Sequence, residues 1–302
     1  MVEAQTPVAR YARQISEQVS RVVAGKEQEI LQILAAILAG GHILLEDIPG
    51  VGKTSLAVAL SKALGLSFGR VQFTSDVMPA DVVGYSVLKR GEMVYKSGPV
   101  MCNLFLADEL NRATSRTQSA LLEAMEEDQV TVDGVCHRLP KPFIVIATQN
   151  PLGAVGTQSL PDSQLDRFAL RLRIGYPGLE DEKKMVLRQG GELLQAATAE
   201  DLVKMQQAVA DTYIKENVAE YAVRLVAATR RSPFVLRGAS PRATLSVVAM
   251  AKAWAQLQGR DFVIPEDVQQ AFLCAVPHRI LAHNADACLR RIVRRVRPPK
   301  LR

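Results

Sequence analysis

The order of apolar and polar positions divides the chain into two stretches of different character. Apolar residues recur at helical spacing near Ala9–Val23 and again near Lys26–Ala39, which predicts two opening helices. The apolar run His42–Glu46 is short and bounded by a Pro/Gly turn, the signature of a buried strand. Lys53 to Leu64 returns to helical spacing and is stopped by Gly65. Further strands are predicted near Arg70–Phe73, Asn103–Ala107 and Phe143–Thr148, with a fifth at Arg171–Ile174 and a long helix over Thr117–Glu127. Met78–Lys96 reads as a short helix carrying a hairpin-like insertion. Gln129–Leu139 reads as a hairpin turning at Asp133-Gly134, a dipeptide that tolerates the required left-handed backbone. Strands alternating with helices imply a mostly parallel sheet covered on both faces. Beyond Tyr176-Pro177-Gly178 only helical patterns remain. The predicted organisation is an α/β core over 1–177 and an all-α domain over 178–302.

Composition narrows the class without naming a chemistry. Of 302 residues, 48% are hydrophobic, enough for a sizeable core, and 23% are charged, as in ordinary soluble proteins. The N-terminal residues show no apolar signal-like stretch. The longest apolar run, Ile30–Ala39, is interrupted by Gln32 and too short to span a bilayer. A cytoplasmic protein with no transmembrane segment is therefore expected. The cysteines Cys102, Cys136, Cys274 and Cys288 form no CxxC pair and read as reduced, structural thiols. The net charge of +6 misleads if read globally. Residues 288–302 hold 7 basic and no acidic residues, so the remainder is close to neutral.

Pro49-Gly50-Val51-Gly52-Lys53-Thr54, with Ser55 after it, lies between a predicted strand and a predicted helix. That context fits a phosphate-binding loop. Small residues let backbone N–H groups wrap phosphates, and the helix N-terminus adds positive potential. Lys53 would reach the β- and γ-phosphates of ATP, and the Thr54 hydroxyl would coordinate Mg²⁺. The first glycine of the general G-x-x-x-x-G-K-[ST] pattern is replaced by Asp47, whose charge should point away from the phosphates.

Leu104–Ala107 runs into two carboxylates, Asp108 and Glu109. Adjacent residues at a strand end point to opposite sides. Asp108 is therefore expected on the metal side, acting through bound water, and Glu109 as the base that polarises the attacking water.

Ala107-Asp108-Glu109-Leu110-Asn111-Arg112-Ala113, the run Thr117–Glu127, Ala147-Thr148-Gln149-Asn150-Pro151, Leu160–Phe168 and Gly238–Ala243 resemble the MoxR family of AAA+ ATPases, in the family's order and over nearly the whole chain. The resemblance implies an AAA+ core followed by a helical lid, with nucleotide between them. Asn150 would match the polar sensor beside the attacking water. Arg167, in Asp166-Arg167-Phe168, would match an arginine finger acting on ATP held by the neighbouring subunit, with Arg112 and Arg116 as other arginines able to face that neighbour. Arg242 would match the lid residue that reports nucleotide state. Locally, Ser240 suits an N-cap and Pro241 the first helical position, so Arg242 falls in a first turn, where a cation opposes the macrodipole and an anion would compensate.

The same resemblance implies a homo-oligomeric ring, a hexamer, that remodels or matures a protein client. Family members often work with von Willebrand A domain proteins, in metal-cofactor insertion or complex maturation. The two hairpins would project towards partners. A nucleic-acid motor is the rival reading, weakened by the near-neutral body and by an aromatic content of only 5%. A non-hydrolysing switch is a third, opposed by intact Glu109 and Asn150. In the basic tail, Leu289, Ile292, Val293 and Val296 form one apolar stripe. It predicts a last helix packed on the lid with a solvated basic face, or else a site for an anionic partner. Arg297–Arg302 reads as a loose end.

Overall fold

A computed structural model of the chain describes residues 6–48, 50–150, 160–187 and 192–300. Two helices lead, α1 (Pro7–Ser20) and α2 (Glu27–Leu38). Thr6 caps α1 by accepting the Ala9 N–H at 3.2 Å, and Pro7 supplies the helical φ of the first turn. Next come β1 (His42–Glu46), α3 (Lys53–Ala63), β2 (Phe68–Gln72), α4 (Pro79–Val83), and the hairpin of β3 (Gly84–Lys89) with β4 (Glu92–Ser97). Then follow β5 (Leu104–Asp108), a 3₁₀ turn at Leu110–Arg112, α5 (Ser115–Glu127), and the hairpin of β6 (Gln129–Val132) with β7 (Val135–Arg138). β8 (Ile144–Gln149), α6 (Asp162–Leu165) and β9 (Phe168–Leu172) complete the α/β part. The remainder is α7 (Leu179–Val186), α8 (Ala199–Ala210), α9 (Glu216–Arg231), α10 (Pro241–Leu257), α11 (Pro265–Ala275) and α12 (Ala285–Arg295).

The main sheet is parallel, in the order β2-β5-β8-β1-β9. Alternate side chains of each strand go to opposite faces. Ile43, Leu45, Leu104, Leu106, Ile144, Ile146 and Leu170 join a core with α1, α2, α3 and the later helices. Leu44, Phe105, Ala107, Val145, Ala147 and Phe168 join a second core under α4, α5 and the β6–β7 hairpin. The all-α part is thus bound to one face of the sheet by a continuous hydrophobic core.

The predicted elements appear, with one displaced. The fifth strand is Phe168–Leu172, not Arg171–Ile174. Phe168 and Leu170 fill the two cores beside β1, which leaves Arg171 and Arg173 to approach Glu46 at 3.5 and 3.6 Å. The turn Asp133-Gly134 has φ of 49° and 78°, the left-handed pair that joins β6 to β7. In α12, Leu289 and Ile292 are buried and Val293 and Val296 pack beside them, so the tail's stripe is lid core. Residues 301 and 302 lie outside the described residues. All four cysteines are unpaired, and burial pushes the thiols of Cys102 and Cys274 up to about 12 and about 11. Among the described residues no helix is long and apolar enough to cross a membrane.

Because the strands are parallel, the sheet has two unlike edges. β1 is five residues long. At about 3.3 Å per residue, its two ends lie about 13 Å apart.

Candidate active site

The edge where the strands end gathers the expected phosphate and carboxylate residues. Gly50 and Gly52 adopt φ of 88° and 89°, and Gly52 opens α3 as its N-cap. Nothing stands within 4 Å of where a Cβ would project from either glycine. Left-handed backbone of this kind turns N–H groups towards a common concavity, and the space beside it is open, which suits phosphate oxygens. Val51 and Lys53 are buried, Thr54 is half-buried and Ser55 is exposed. Pro49 lies outside the described residues. Lys53 Nζ donates to the Asp47 carbonyl at 2.5 Å. Burial lowers the Lys53 pKa, while Asp47, Asp108 and Glu109 act to raise it.

The Asp47 carboxylate is occupied by two backbone N–H groups. One carboxylate oxygen accepts the Ile48 N–H at 2.9 Å and the other the Gly175 N–H at 2.6 Å. The loop's opening residue is therefore tied to the segment that leaves β9. Beside it, Lys26 Nζ donates to the Tyr176 carbonyl at 3.0 Å. The segments 23–26 and 175–178 consequently flank the loop, a pairing that sequence reasoning missed because it joins residues 150 positions apart.

Asp108 and Glu109 are separated by a turn, not by strand alternation. β5 stops at Asp108, and Glu109 has φ 56°, in the left-handed region. Its N–H donates to Thr148 Oγ1 at 2.8 Å, and that hydroxyl donates to Asp108 Oδ1 at 2.7 Å. Thr148 therefore fixes the angle between the two carboxylates. Asp108 Oδ2 is ion-paired with Arg70 at 2.8 Å. The Glu109 carboxylate accepts from Asn150 Nδ2 at 3.1 Å and from Arg112 at 2.8 Å. Arg112 thus serves its own subunit's carboxylate. Arg70 carried no signal in the sequence beyond its position in a strand, and Thr148, though part of the Ala147–Pro151 run, was assigned no role.

Arg167 and Arg242 stand elsewhere, at the edge where the strands begin. Arg167 directly precedes Phe168, which is in register with His42 at the start of β1. Its guanidinium donates to the Leu122 carbonyl at 3.2 Å and pairs with Glu126 Oε2 at 2.5 Å. Arg242 pairs with Glu126 Oε1 at 2.9 Å. Glu126 itself is fixed to this edge, since the preceding residue Met125 is joined through its carbonyl to His42 Nε2 at 3.0 Å. The anion that offsets Arg242 in the first turn of α10 is therefore a carboxylate of the chain. The expected N-cap bond is also replaced: the Ser240 hydroxyl donates to Asp166 Oδ2 at 2.7 Å. Through Glu126, Arg242 meets Arg167 at the edge where the strands begin.

The comparisons with known proteins decide the family. Residues 42–170 match the ATPase family associated with various cellular activities (AAA), and residues 227–296 match the AAA lid domain. The chain is 37% identical to chaperone MoxR1 of Mycobacterium tuberculosis over 87% of its own length and 74% of that protein's. The chain belongs to the MoxR family of AAA+ ATPases. The uncharacterized protein YeaC of Bacillus subtilis is 44% identical, over 94% of this chain and 93% of YeaC. A solved structure of a Cytophaga hutchinsonii protein superposes with a TM-score of 0.89 at 33% identity, covering 97% of this chain and 96% of that one. As a MoxR-family AAA+ protein, the chain binds and hydrolyses ATP. The parallel sheet, its flanking helices and the helical lid are the AAA+ architecture expected from the sequence.

Proposed function

We propose that this MoxR-family ATPase works as a ring of six copies that complete one another's sites. ATP lies at the edge where β1, β5 and β8 end, with its phosphates on Gly50–Thr54 and Lys53 at the β- and γ-phosphates. Mg²⁺ takes most of its ligands from phosphates and water. Thr54 would hold the ion through its hydroxyl and Asp108 through bound water, where the ion would neutralise charge on the phosphates. Glu109 polarises the attacking water, and Asn150 orients that water. Arg167 and Arg242 stabilise charge on the phosphoryl group held by the neighbouring subunit.

The observation that carries this reading is the separation of the two edges. The Lys53 loop follows the end of β1, whereas Arg167 and Arg242 meet at the beginning of β1, about 13 Å away along the strand. Two arginines at the opposite end of the strand from their own loop favour service to a loop brought by another copy. The core (1–177) carries the loop and Arg167, and the lid (178–302) carries Arg242. Hydrolysis in the cytoplasm would then drive remodelling or maturation of a client protein. The name of chaperone MoxR1 supports that role, and a von Willebrand A domain partner or metal-cofactor insertion are its narrower forms.

Steady-state Mg-ATP turnover per subunit, measured across protein concentration, tests the shared site. Turnover per subunit should rise with concentration, and Glu109→Gln should bind ATP without turning it over. Turnover that is constant down to concentrations where the chain is monomeric would overturn the reading. Stimulation by DNA or RNA with steep salt dependence would favour a nucleic-acid motor instead.

A further inference from the structure

Glu126 has no counterpart in the chemistry described so far, yet it touches both arginines. Each carboxylate oxygen takes one guanidinium: Oε2 takes Arg167 at 2.5 Å and Oε1 takes Arg242 at 2.9 Å. One arginine belongs to the sheet and the other to the lid. We propose that Glu126 is a positioning residue that sets Arg167 and Arg242 as a pair for the phosphates of the neighbouring subunit. The proposal rests on the shared-site reading above.

Three observations support it. First, the contacts leave donors free. A guanidinium has five N–H groups, and Arg242 spends one nitrogen on Glu126 while its side chain stays half exposed. Arg167 spends Nη1 on Glu126 and Leu122, and its side chain is 24% exposed. The side chains are held, and capacity to bind an anion remains.

Second, two cations converging on one phosphate repel each other, and a carboxylate between them offsets that repulsion before the phosphate arrives. It also offsets the cost of placing Arg242 at a helix N-terminus.

Third, the surroundings of Glu126 are braced. Met125 is bonded to His42 of β1. Arg237 pairs with Asp162, and Ser240 bonds Asp166 at 2.7 Å, so α10 is latched to the segment that carries Arg167. Arg279, whose side chain is 1% exposed, lies 3.2 Å from Asp166 Oδ1 and donates to the Asp166 and Phe168 carbonyls. The lid therefore presents Arg242 in a fixed relation to Arg167, with Glu126 at the meeting point.

Subunit mixing tests the role. Glu126→Gln keeps the shape and removes the charge. Its kcat should fall about 10- to 100-fold, as for a misplaced catalytic group. Its KM for ATP should stay within about twofold, because its own nucleotide loop is untouched. Glu109→Gln subunits lack turnover but carry an intact arginine pair. Co-assembled with Glu126→Gln subunits, they should restore hydrolysis well above that of either variant alone. Arg167→Ala subunits in the same mixture separate the two levels of the argument. If Arg167→Ala is restored and Glu126→Gln is not, or if Glu126→Gln alone turns over within about threefold of the unaltered chain or faster, the role of Glu126 is overturned. If Arg167→Ala is not restored either, the shared site itself is wrong, and the role of Glu126 falls with it.

Discussion

The two edges of the sheet solve different problems. The edge where strands end is shaped by backbone: left-handed Gly50, Gly52 and Glu109. Its carboxylates are held by short polar side chains, Thr148 and Asn150, with Arg70 and Arg112 pairing from the same edge. The edge where strands begin is shaped by long side chains. Arg167, Arg242 and Arg279 reach across between lid and core to Glu126, Asp166 and backbone carbonyls. A phosphate needs a preformed concavity, which backbone supplies at little entropic cost. An acting arginine needs reach, and reach must then be restrained by partners.

Breaking the second edge should affect turnover most. Arg167→Ala is expected to lower kcat about 10³-fold or more while leaving ATP affinity near that of the unaltered chain. Equilibrium nucleotide binding beside single-turnover hydrolysis checks both. Equal loss of binding would place Arg167 with its own loop and erase the contrast between the edges.

A smaller effect separates fold from chemistry. Asp166→Asn leaves the buried Arg279 guanidinium without its carboxylate. Removing one member of a buried ion pair costs about 3 kcal/mol, and urea unfolding should show it. The 3.2 Å contact is ionic and not a well-aligned hydrogen bond, because both Asp166 Oδ1 and Arg279 Nε lack a hydrogen-bond partner. The charge should accordingly account for most of the loss.

The smallest effect is set by pH. His42 is joined to the Met125 carbonyl and accepts the Val145 N–H, and His278 is joined to the Phe168 carbonyl at 2.8 Å. Burial lowers the pKa of both, with that of His278 well below the ordinary value of 6.5. Folded and unfolded forms are both neutral at high pH. Below pH 6.5 the unfolded form gains protons that the folded form refuses, so this contribution to stability is lost as pH falls. The loss should be at most about 1.4 kcal/mol per pH unit for each histidine. It should be blunted in His278→Asn, as read by thermal unfolding between pH 7 and about pH 5.

The contrast also explains what could be read from sequence. The nucleotide edge is written in contiguous runs: Gly50–Thr54, Asp108-Glu109 and Thr148–Asn150 each follow a strand that periodicity reveals. Even there, the alternation argument for Asp108 and Glu109 failed, because a left-handed turn, and not the pleat, directs Glu109. The arginine edge is assembled from Glu126, Arg167, Arg242 and Arg279, which belong to four separated segments. No spacing rule links a residue near the end of a helix to an arginine more than 100 positions later. Arg242 was legible as an uncompensated charge, but its partner was not. The shift of the last strand has a similar origin, since Arg171–Ile174 alternates as well as Phe168–Leu172, and only the cores beside β1 choose between them.

In the proposed ring the two edges of one copy are unlike surfaces, so contact between copies would be head-to-tail and would have a direction. An open row of copies always ends in one loop with no arginine pair opposite and one arginine pair with nothing to act on. Only closure removes both loose ends. A rotation per step that misses closure would yield a growing filament in place of a ring. The geometry at each junction of such a ring would be under a constraint that no single subunit reveals: the angle between successive copies must divide a full turn.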